Sequence, residues 1–307
     1  MFNCETWIAA AIQSALDQTW TDKEVIVVDD GSTDRTPEIC RAFGDRIQYV
    51  RQENGGQCAA NNHILRIAKG EWVQFLDADD YLKPEKIEAQ LLSRELPPEV
   101  EVIYSPVVFE TWKGGQRLAE EVQPITGDSD LLALWLGWMM PQTGGCLWKK
   151  EALVRIGSWN ERYKRNTDYE LYSRAIKSKL NFHFVDAPLA VYRIWSEDTA
   201  CRRDKRTSIM GITDLIHEFI AWLRSEGRLT PALEKVAGRR IFAMARTLAT
   251  QDLTVSASYY QQQKAAGLID PIGPAAPWKY RLALTLLGFR RAECFASWMR
   301  AGPTQRS

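Results

Sequence analysis

Short apolar runs alternate with helical patterns along the first two hundred residues of the chain. Residues 24–29 and 72–76 are almost continuously apolar, which is typical of strands that are buried on both faces of a sheet. Between these runs, residues 57–68 place apolar side chains at helical spacing. The alternation continues to about residue 194 and predicts an α/β domain with a Rossmann-like, mostly parallel sheet and flanking helices.

Helical patterns dominate from residue 201 onward. We therefore predict a boundary near residue 200, with the α/β domain at 1–200 and a mostly helical extension at 201–307. Within the first domain, further strands are predicted at 102–109, 182–185 and 189–194, and further helices near 131–138, 150–156 and 167–178.

Two predicted strands end in clusters of carboxylates. The first cluster is Asp29-Asp30, and the second is Asp77-Ala-Asp-Asp80. Ligands of open α/β sheets bind outside the carboxyl ends of the strands, so these acids are expected to face a ligand. Asp77 and Asp79 are two residues apart and would point the same way in an extended segment.

This acidic crowding has two interpretations. Neighbouring carboxylates repel one another unless a cation neutralises them, and Mg²⁺ and Mn²⁺ prefer oxygen ligands that include substrate phosphates. The first interpretation is therefore a divalent metal that bridges protein carboxylate and a diphosphate. The alternative is that the acids only favour the N-terminus of the helix that begins near Pro84.

Charge is distributed unevenly, although the formal net charge of the chain is zero. Residues 201–307 contain 17 Lys and Arg against 8 Asp and Glu, a net charge of +9, whereas residues 1–200 contain 22 and 31, a net charge of −9. The acidic N-terminal region suits metal binding, and the basic C-terminal region suits contact with an anionic surface or partner. Two solvated faces are the alternative. The neutral overall balance and the lack of a recognition motif argue against a nucleic acid partner.

Cysteine spacing and hydropathy indicate a cytoplasmic protein. The six cysteines form no C-x-x-C pair and no disulfide-like cluster, so a reducing compartment is the simpler inference. No secretory signal pattern is visible, and the most apolar run, 131–140, is shorter than the roughly 20 residues that a transmembrane helix needs. We expect a soluble protein or a peripheral one on the inner face of the membrane.

The order and spacing of these motifs resemble those of the family-2 glycosyltransferases, which are inverting enzymes with the GT-A fold. The resemblance covers roughly residues 1–200. Its segments are Val27-Val-Asp-Asp-Gly-Ser-Thr-Asp34, Asn54-Gly-Gly56 with Ala59-Ala60 and Asn62, Lys69-Gly-Glu-Trp72, Phe75-Leu-Asp-Ala-Asp-Asp80, Pro141-Gln-Thr-Gly-Gly145 and Gly157-Ser-Trp-Asn-Glu161.

The resemblance implies roles for individual residues around a sugar-nucleotide donor. Asp30 would hold the base of the nucleotide, uracil in many family members, and Asp77 would lie against the ribose and the metal. Asp79 would bind the divalent metal, Mn²⁺ or Mg²⁺, directly. The matching segments also assign to the nucleotide site Asn3, Gly31, Asn54 and Gly56.

Asp168 stands where the family keeps its catalytic base. The family usually has Glu-Asp at this place, whereas this chain has Thr167-Asp168, so the aspartate itself is retained. One positioned carboxylate suffices to deprotonate an acceptor hydroxyl, because the nucleoside diphosphate is already a good leaving group when a metal stabilises it. In-line attack would invert the anomeric centre. The alternative for Asp168 is the N-cap of a helix.

The resemblance also implies partners. They are a nucleotide-diphosphate sugar, most often a UDP-sugar, and a glycan or lipid-linked acceptor in polysaccharide or cell-envelope synthesis. Gly144 and Gly145 lie in the segment that matches the acceptor side of the site. Outside the resemblance, residues 278–300 mix aromatic, leucine and arginine side chains, a composition that fits a peripheral membrane helix. Ordinary packing on the catalytic domain is the alternative.

The chain departs from the family pattern in two places. Family members begin with a hydrophobic strand before an aromatic-Asn pair, but here Met1 directly precedes Phe2-Asn3, so the first strand is missing. A misplaced start site or a truncated chain is the favoured explanation. If the chain does start at Met1, we expect weak donor binding and low stability. Many members also carry a metal-binding His two residues beyond a Tyr-Arg pair, where this chain has Trp195. Both departures leave open a non-catalytic sugar-nucleotide-binding subunit as the alternative function.

Overall fold

The computed structural model describes residues 1–94, 96–195 and 204–300. The chain divides into two compact units. The first contains Met1–Ser129 and Met140–Ala200, and the second contains Asp130–Met139 and Cys201–Ser307. The segment Asp130–Met139 falls inside the first predicted domain in sequence, but in the structure it belongs to the helical unit.

The strands of the described residues all lie in the first unit. They are β1 (Ile26–Asp29), β2 (Gln48–Arg51), β3 (Trp72–Gln74), β4 (Tyr81–Leu82), β5 (Val102–Tyr104), β6 (Val107–Lys113), β7 (Gln116–Val122), β8 (Cys146–Lys149), β9 (Phe182–Phe184) and β10 (Ala190–Ile194).

These strands form three hydrogen-bonded sheets, of two, four and four strands. Their orders are β1-β2, β4-β10-β6-β7 and β3-β8-β5-β9. The pairs β1–β2, β6–β10 and β5–β9 are parallel, and the pairs β4–β10, β6–β7, β3–β8 and β5–β8 are antiparallel. The α/β class is as predicted, and the pairing within it is mixed.

The strand predicted at 102–109 is in fact two strands in different sheets. β5 ends at Tyr104 and β6 begins at Val107, with Ser105-Pro106 between them. Proline has no N–H to donate to a ladder, so the chain can leave one sheet here and enter another. The following hairpin strand β7 was not predicted. All seven of its residues are exposed, so it has no buried face that would create an alternating pattern.

Met1 pairs with β1 on the side opposite β2. Its N-terminal nitrogen donates to the carbonyl of Val28 (3.0 Å), and its own carbonyl accepts from the N–H of Asp30 (2.8 Å), which is the parallel pattern. The side chains of Val27 and Val28 are buried. This single residue therefore pairs with the edge of β1 that β2 leaves free.

The helices of the first unit are α1 (Ile8–Leu16), α2 (Thr36–Arg41), α3 (Gln57–Ile67), α4 (Lys86–Leu91), α6 (Lys150–Arg155) and α7 (Thr167–Lys177). Ile8 and Ile12 of α1, one helical turn apart, pack with Val27, Cys40 and Ile47 in a buried cluster. This packing joins α1 to the sheet whose ends carry the first candidate site residues.

The second unit is helical, as predicted for the C-terminal region. Its helices are α5 (Leu131–Leu136), α8 (Lys205–Ser225), α9 (Pro231–Ala249), α10 (Leu253–Ala265) and α11 (Trp278–Arg300). Asp204, Thr230 and Asp252 cap α8, α9 and α10 through side-chain oxygens that accept backbone N–H groups. Trp135 of α5 stacks on Phe219 of α8 with 4.0 Å between ring centroids, which explains why α5 belongs to this unit.

Helix α11 is kinked at Gly288, where φ is 75° and ψ is 169°. Its exposed side chains include several large apolar ones, namely Trp278, Leu282, Leu286, Leu287, Phe295, Trp298 and Met299. None of the helices in the described ranges is both long enough and apolar enough to cross a membrane.

Candidate active site

Asp29 anchors the loop that follows β1. Its carboxylate accepts hydrogen bonds from the Ser32 N–H (2.8 Å) and the Tyr49 hydroxyl (2.8 Å), and lies 4.0 Å from Arg51 Nε. Burial alone would raise the pKa of Asp29, but these hydrogen bonds outweigh it and hold the pKa below its ordinary value. Asp29 is therefore an ionised, buried anchor.

Asp30 ties the second loop of the site to the end of β1. Its Oδ1 accepts from Gln52 Nε2 (2.7 Å) and from the Gly55 N–H (2.9 Å), and its Oδ2 accepts from the Gly56 N–H (2.8 Å). His63 Nδ1 lies 2.8 Å from Gln52 Oε1 and supports this amide from α3. Both oxygens of the residue that was predicted to hold the nucleotide base are thus engaged within the protein.

Gly31 lies in the loop after β1, and Asn3 contacts this loop from the N-terminal segment. Gly31 has φ of +83°, and a Cβ there would lie 3.2 Å from the backbone nitrogen of Asn54, so a larger residue would be strained. Asn3 Oδ1 accepts from the Thr33 N–H (2.8 Å). The structure therefore brings together, at the ends of β1 and β2, the predicted nucleotide residues Asn3, Asp30, Gly31, Asn54 and Gly56.

The acidic segment after β3 is a turn, so the extended arrangement in which Asp77 and Asp79 would point the same way does not occur. The Asp80 N–H donates to the Asp77 carbonyl (3.1 Å). This turn separates the side chains. Asp80 is buried and accepts from the backbone N–H of Arg193 (2.8 Å), whereas Asp77 and Asp79 are partly exposed. Asp80 is thus a structural acid that joins the turn to β10.

Gln57 joins the acidic turn to α7, and it was missed in the sequence analysis. Its Nε2 donates to Asp77 Oδ1 (3.0 Å), and its Oε1 accepts from Thr167 Oγ1 (3.4 Å). An amide can donate and accept at once, which neither a leucine nor a lysine can do. The three residues lie far apart in sequence, so no local pattern could have indicated this contact.

Asp168 lies in the first turn of α7, beside the acidic turn. The N-cap of this helix is Asn166, in left-handed backbone conformation, so the alternative N-cap role of Asp168 is wrong. Burial raises the pKa of Asp168, against hydrogen bonds from the N–H of Tyr169 and from its own N–H. A carboxylate with a raised pKa beside a candidate ligand site has the character of a general base.

Burial and mutual repulsion raise the pKa of two acids at this site, Asp77 and Asp80. Burial and then the charges of Asp79 and Asp168 raise the pKa of Asp77 to about 7. Burial, followed by the charges of Asp77 and Asp79, raises the pKa of Asp80 well above its ordinary value. No Lys or Arg of the described ranges forms an ion pair with Asp77, Asp79 or Asp168. The acidic cluster therefore carries negative charge that an added cation would neutralise.

These carboxylates fit a divalent metal that takes most of its ligands from substrate phosphates and water. No group of three or more His, Cys, Asp and Glu side chains in the described part of the chain forms a complete metal site. Mg²⁺ and Mn²⁺, however, are commonly held by one or two carboxylates, with substrate phosphates and water as the remaining ligands. Asp77 and Asp79 match that incomplete donor set.

Gly144 and Gly145 form a buried 3-10 turn, Thr143–Gly145, directly before β8. The carbonyl of Gly144 accepts from Gln74 Nε2 (3.0 Å), and the carbonyl of Gly145 accepts from Gln90 Nε2 (3.1 Å). Both glycines are buried, so their predicted contact with an acceptor would come through the turn that they shape.

Comparison with known proteins decides the family. The family described as "Glycosyl transferase family 2" matches residues 1–157, which is more than half of the chain. The chain belongs to this family. The resemblance found in the sequence is thereby confirmed, and the acidic turn and the Asp30 loop both lie inside the matched region of this family-2 glycosyltransferase.

One curated relative is an uncharacterized glycosyltransferase of Rickettsia felis. It is 32% identical over 206 residues, which cover 64% of this chain and 33% of the relative. The chain thus spans about a third of the length of that relative.

Solved structures confirm the GT-A fold of the family-2 glycosyltransferase. S. aureus TarS in complex with UDP-GlcNAc has a TM-score of 0.63 at 17% identity, with 98% of this chain and 90% of that chain covered. The mannosyltransferase PcManGT from Pyrobaculum calidifontis, in complex with GDP-Man and Mn²⁺, has a TM-score of 0.53 at 16% identity, with 98% and 86% covered.

Proposed function

We propose that this chain is an inverting, metal-dependent glycosyltransferase of hexosyltransferase type, which transfers a sugar from a nucleotide-diphosphate donor to an acceptor hydroxyl. The observation that carries the proposal is the placement of Asp168. It lies close enough to the turn that bears Asp77 and Asp79 for its charge to raise the pKa of Asp77. A base beside a diphosphate site is what direct displacement at the anomeric carbon requires.

The donor site is proposed at the carboxyl ends of β1 and β2. Asn3, Gly31, Asn54 and Gly56 shape the loops there, and Asp30 contributes to recognition of the base. A UDP-sugar is the favoured donor, since the similar TarS structures contain UDP and UDP-GlcNAc. Glycine-lined loops allow the backbone to approach a nucleotide closely.

Asp79, with Asp77 beside it, would hold Mn²⁺ or Mg²⁺ through carboxylate oxygens. When bound, the cation would stabilise the negative charge that develops on the departing diphosphate. Asp168 accepts the proton of the attacking hydroxyl as that oxygen bonds to the anomeric carbon and the bond to the diphosphate breaks. Attack from the opposite face inverts the centre, so an α-linked donor gives a β-linked product.

The acceptor is proposed to be a growing glycan or a lipid-linked saccharide, in polysaccharide or cell-envelope synthesis. The turn Thr143–Gly145 is proposed to shape its binding site. A cytoplasmic enzyme on the inner face of the membrane would meet both a soluble donor and such an acceptor.

Helix α11 is proposed to provide contact with the membrane. Trp278, Leu282 and Leu286 follow one another at four-residue spacing on one helical face and are all exposed. Lys279, Arg281, Arg290 and Arg291 are exposed as well. The single acidic residue of 278–300, Glu293, is buried against Arg246 (2.6 Å). An apolar stripe with an entirely basic exposed surround suits an anionic lipid surface, and co-sedimentation with lipid vesicles tests it.

The enzymatic proposal is tested with a panel of nucleotide sugars, each with Mn²⁺ or Mg²⁺, and release of nucleoside diphosphate as the readout. Asp168→Asn is expected to lower turnover about 10²- to 10⁴-fold while donor binding is retained. Asp79→Ala is expected to abolish the dependence of donor binding on metal. Asp45→Asn removes an exposed carboxylate outside the site and serves as the matched control.

Wild-type turnover by Asp168→Asn would overturn the assignment of the base. Turnover that is unchanged by a chelator would overturn the metal. Tight nucleotide binding without release from any donor, with or without saccharide acceptors, would instead establish the non-catalytic binding subunit. An α-linked product from an α-linked donor would exclude inversion.

A further inference from the structure

The candidate metal residue Asp79 is held by an indole. Nε1 of Trp195, which follows directly after β10, donates to Asp79 Oδ2 at 2.9 Å. Asp79 Oδ1 accepts no hydrogen bond from the described residues. One carboxylate oxygen is therefore engaged by a neutral donor, and the other keeps its full capacity to bind a cation.

The indole of Trp195 is 40% exposed and packs against one member of an aromatic cluster. Its ring lies against Trp7, the N-cap residue of α1, at 6.0 Å between centroids, and Trp7 meets Trp112 of β6 edge to face at 5.6 Å. The guanidinium of Arg193 lies over the rings of Trp7 at 4.7 Å and Tyr81 at 4.5 Å. The cluster draws side chains from the residue before α1 and from β4, β6 and β10, and Trp195 joins it through Trp7.

The end of β10 contacts the acidic turn at two further points. Arg193 Nη1 donates to the Asp79 carbonyl (3.0 Å), and the Arg193 N–H donates to Asp80 Oδ1 (2.8 Å). The backbone of the turn is thus held by Arg193, while the side chain of Asp79 is held by Trp195. This arrangement leaves the carboxylate of Asp79 little freedom to rotate.

We infer that Trp195 is a positioning residue that orients Asp79 for binding of a divalent cation. Hydrogen-bond donors behind a metal-binding carboxylate fix its orientation and are commonly worth 10- to 100-fold in metal affinity. Trp195 would perform this role through Oδ2, which would leave Oδ1 available to the cation. The inference rests on the proposed function, because it requires Asp79 to be a metal ligand.

The opposite relation would be competition, in which the cation must displace the indole from Oδ2. Displacement would require the ring to leave its contact with Trp7. Loss of the indole N–H would then strengthen cation binding, whereas loss of a positioning bond weakens it. The sign of the change therefore separates the two relations.

The test measures the affinity of the full chain for Mn²⁺, by electron paramagnetic resonance titration, with and without UDP. Trp195→Phe retains an aromatic ring but removes the N–H. We expect it to weaken Mn²⁺ binding about 10- to 100-fold. UDP binding in the presence of a chelator should be unchanged, since a general structural defect would weaken it as well.

Trp112→Phe is the matched control. Trp112 Nε1 donates to the carboxylate of Glu110 at 2.9 Å, so this variant removes an equally long indole–carboxylate bond from the same aromatic cluster. The phenyl ring keeps an aromatic group beside Trp7, and the change does not touch Asp79. Its Mn²⁺ affinity should equal that of the wild type. Melting temperatures of both variants show whether each is folded.

Unchanged or tighter Mn²⁺ binding by Trp195→Phe would overturn the inference, as would an equal loss in Trp112→Phe. Asp79→Asn separates this failure from a failure of the proposed metal site. If Asp79→Asn weakens Mn²⁺ binding and Trp195→Phe does not, only the role of Trp195 is wrong. If neither variant weakens Mn²⁺ binding, Asp79 is not a metal ligand. The proposed metal site and the proposed role of Trp195 then both fail.

Discussion

At the scale of single residues, the site stores unfavourable charge. Asp77 is pressed toward protonation by burial and by Asp79 and Asp168, and its one described hydrogen-bond donor is the neutral amide of Gln57. A group selected for stability alone would have a basic partner. Functional sites commonly depart from the rules of stability in this way, because the charge serves a ligand.

Asp77→Asn is therefore expected to stabilise the metal-free chain at pH 8. Above about 7, Asp77 is ionised in both states, and the folded state bears the cost of its burial and its acidic neighbours. As the pH falls from about 7 toward 3.8, the folded state takes up a proton before the unfolded state does, so wild-type stability rises. We expect the variant to gain about 1–3 kcal/mol at pH 8, and the gain to vanish near pH 4.

The measurement is urea unfolding of the wild type and Asp77→Asn at both pH values, in the presence of a chelator. Asp45→Asn, an exposed carboxylate, should show no gain at pH 8. A variant that is less stable than the wild type at pH 8 would show that the hydrogen bond from Gln57 outweighs the charge repulsion. Added Mn²⁺ should raise the stability of the wild type and reduce the difference.

At the scale of elements, local patterns and long-range contacts were not equally visible in the sequence. The position of the acids at the ends of β1 and β3 was predicted correctly, because a buried apolar run ends directly before each acidic segment. The contacts of Gln57 with Asp77 and of Trp195 with Asp79 join residues 20 and 116 positions apart, and no periodicity indicates them. Pro106 marks the break between β5 and β6, but the prediction of a single strand at 102–109 did not use it. The exposed strand β7 carries no hydrophobic pattern at all.

The turn Thr143–Gly145 offers a prediction at this scale. A Cβ on Gly145 would lie 2.7 Å from Pro141 Cβ and 2.8 Å from Val107 Cγ1, closer than packed carbons approach. Gly145→Ala is expected to destabilise the chain by about 1–3 kcal/mol, because a close-packed interior must shift to accept the methyl group. For a unit of this size the melting temperature should fall about 2–4 °C per kcal/mol.

Gly144→Ala is the matched control from the same turn. Its Cβ would meet Ala190 Cβ at 3.5 Å and Leu82 Cδ2 at 3.9 Å, which are ordinary contacts. Its melting temperature should therefore stay close to that of the wild type. Equal losses in the two variants would mean that the turn as a whole, and not the space beside Gly145, limits substitution.

At the scale of the whole molecule, the sign of the net charge differs between the region proposed for catalysis and the region proposed for membrane contact. Residues 1–200 carry a net charge of −9 and contain every candidate catalytic residue, whereas residues 201–307 carry +9 and contain α11. An acidic catalytic region suits cation binding and would be repelled by an anionic lipid surface. Contact with such a surface is therefore expected through the basic region alone.

Co-sedimentation with vesicles should show this polarity directly. We expect binding to vesicles that contain phosphatidylglycerol, weak binding to pure phosphatidylcholine, and loss of binding as NaCl shortens the screening length from about 10 Å to about 3 Å. Leu286→Ser, at a side chain that is 72% exposed, should weaken binding about tenfold, whereas Leu118→Ser on β7, 61% exposed, should not. Equal effects of the two substitutions would show that the chain binds vesicles non-specifically and not through α11. Binding that does not change with the NaCl concentration would show that the basic residues do not contribute to it.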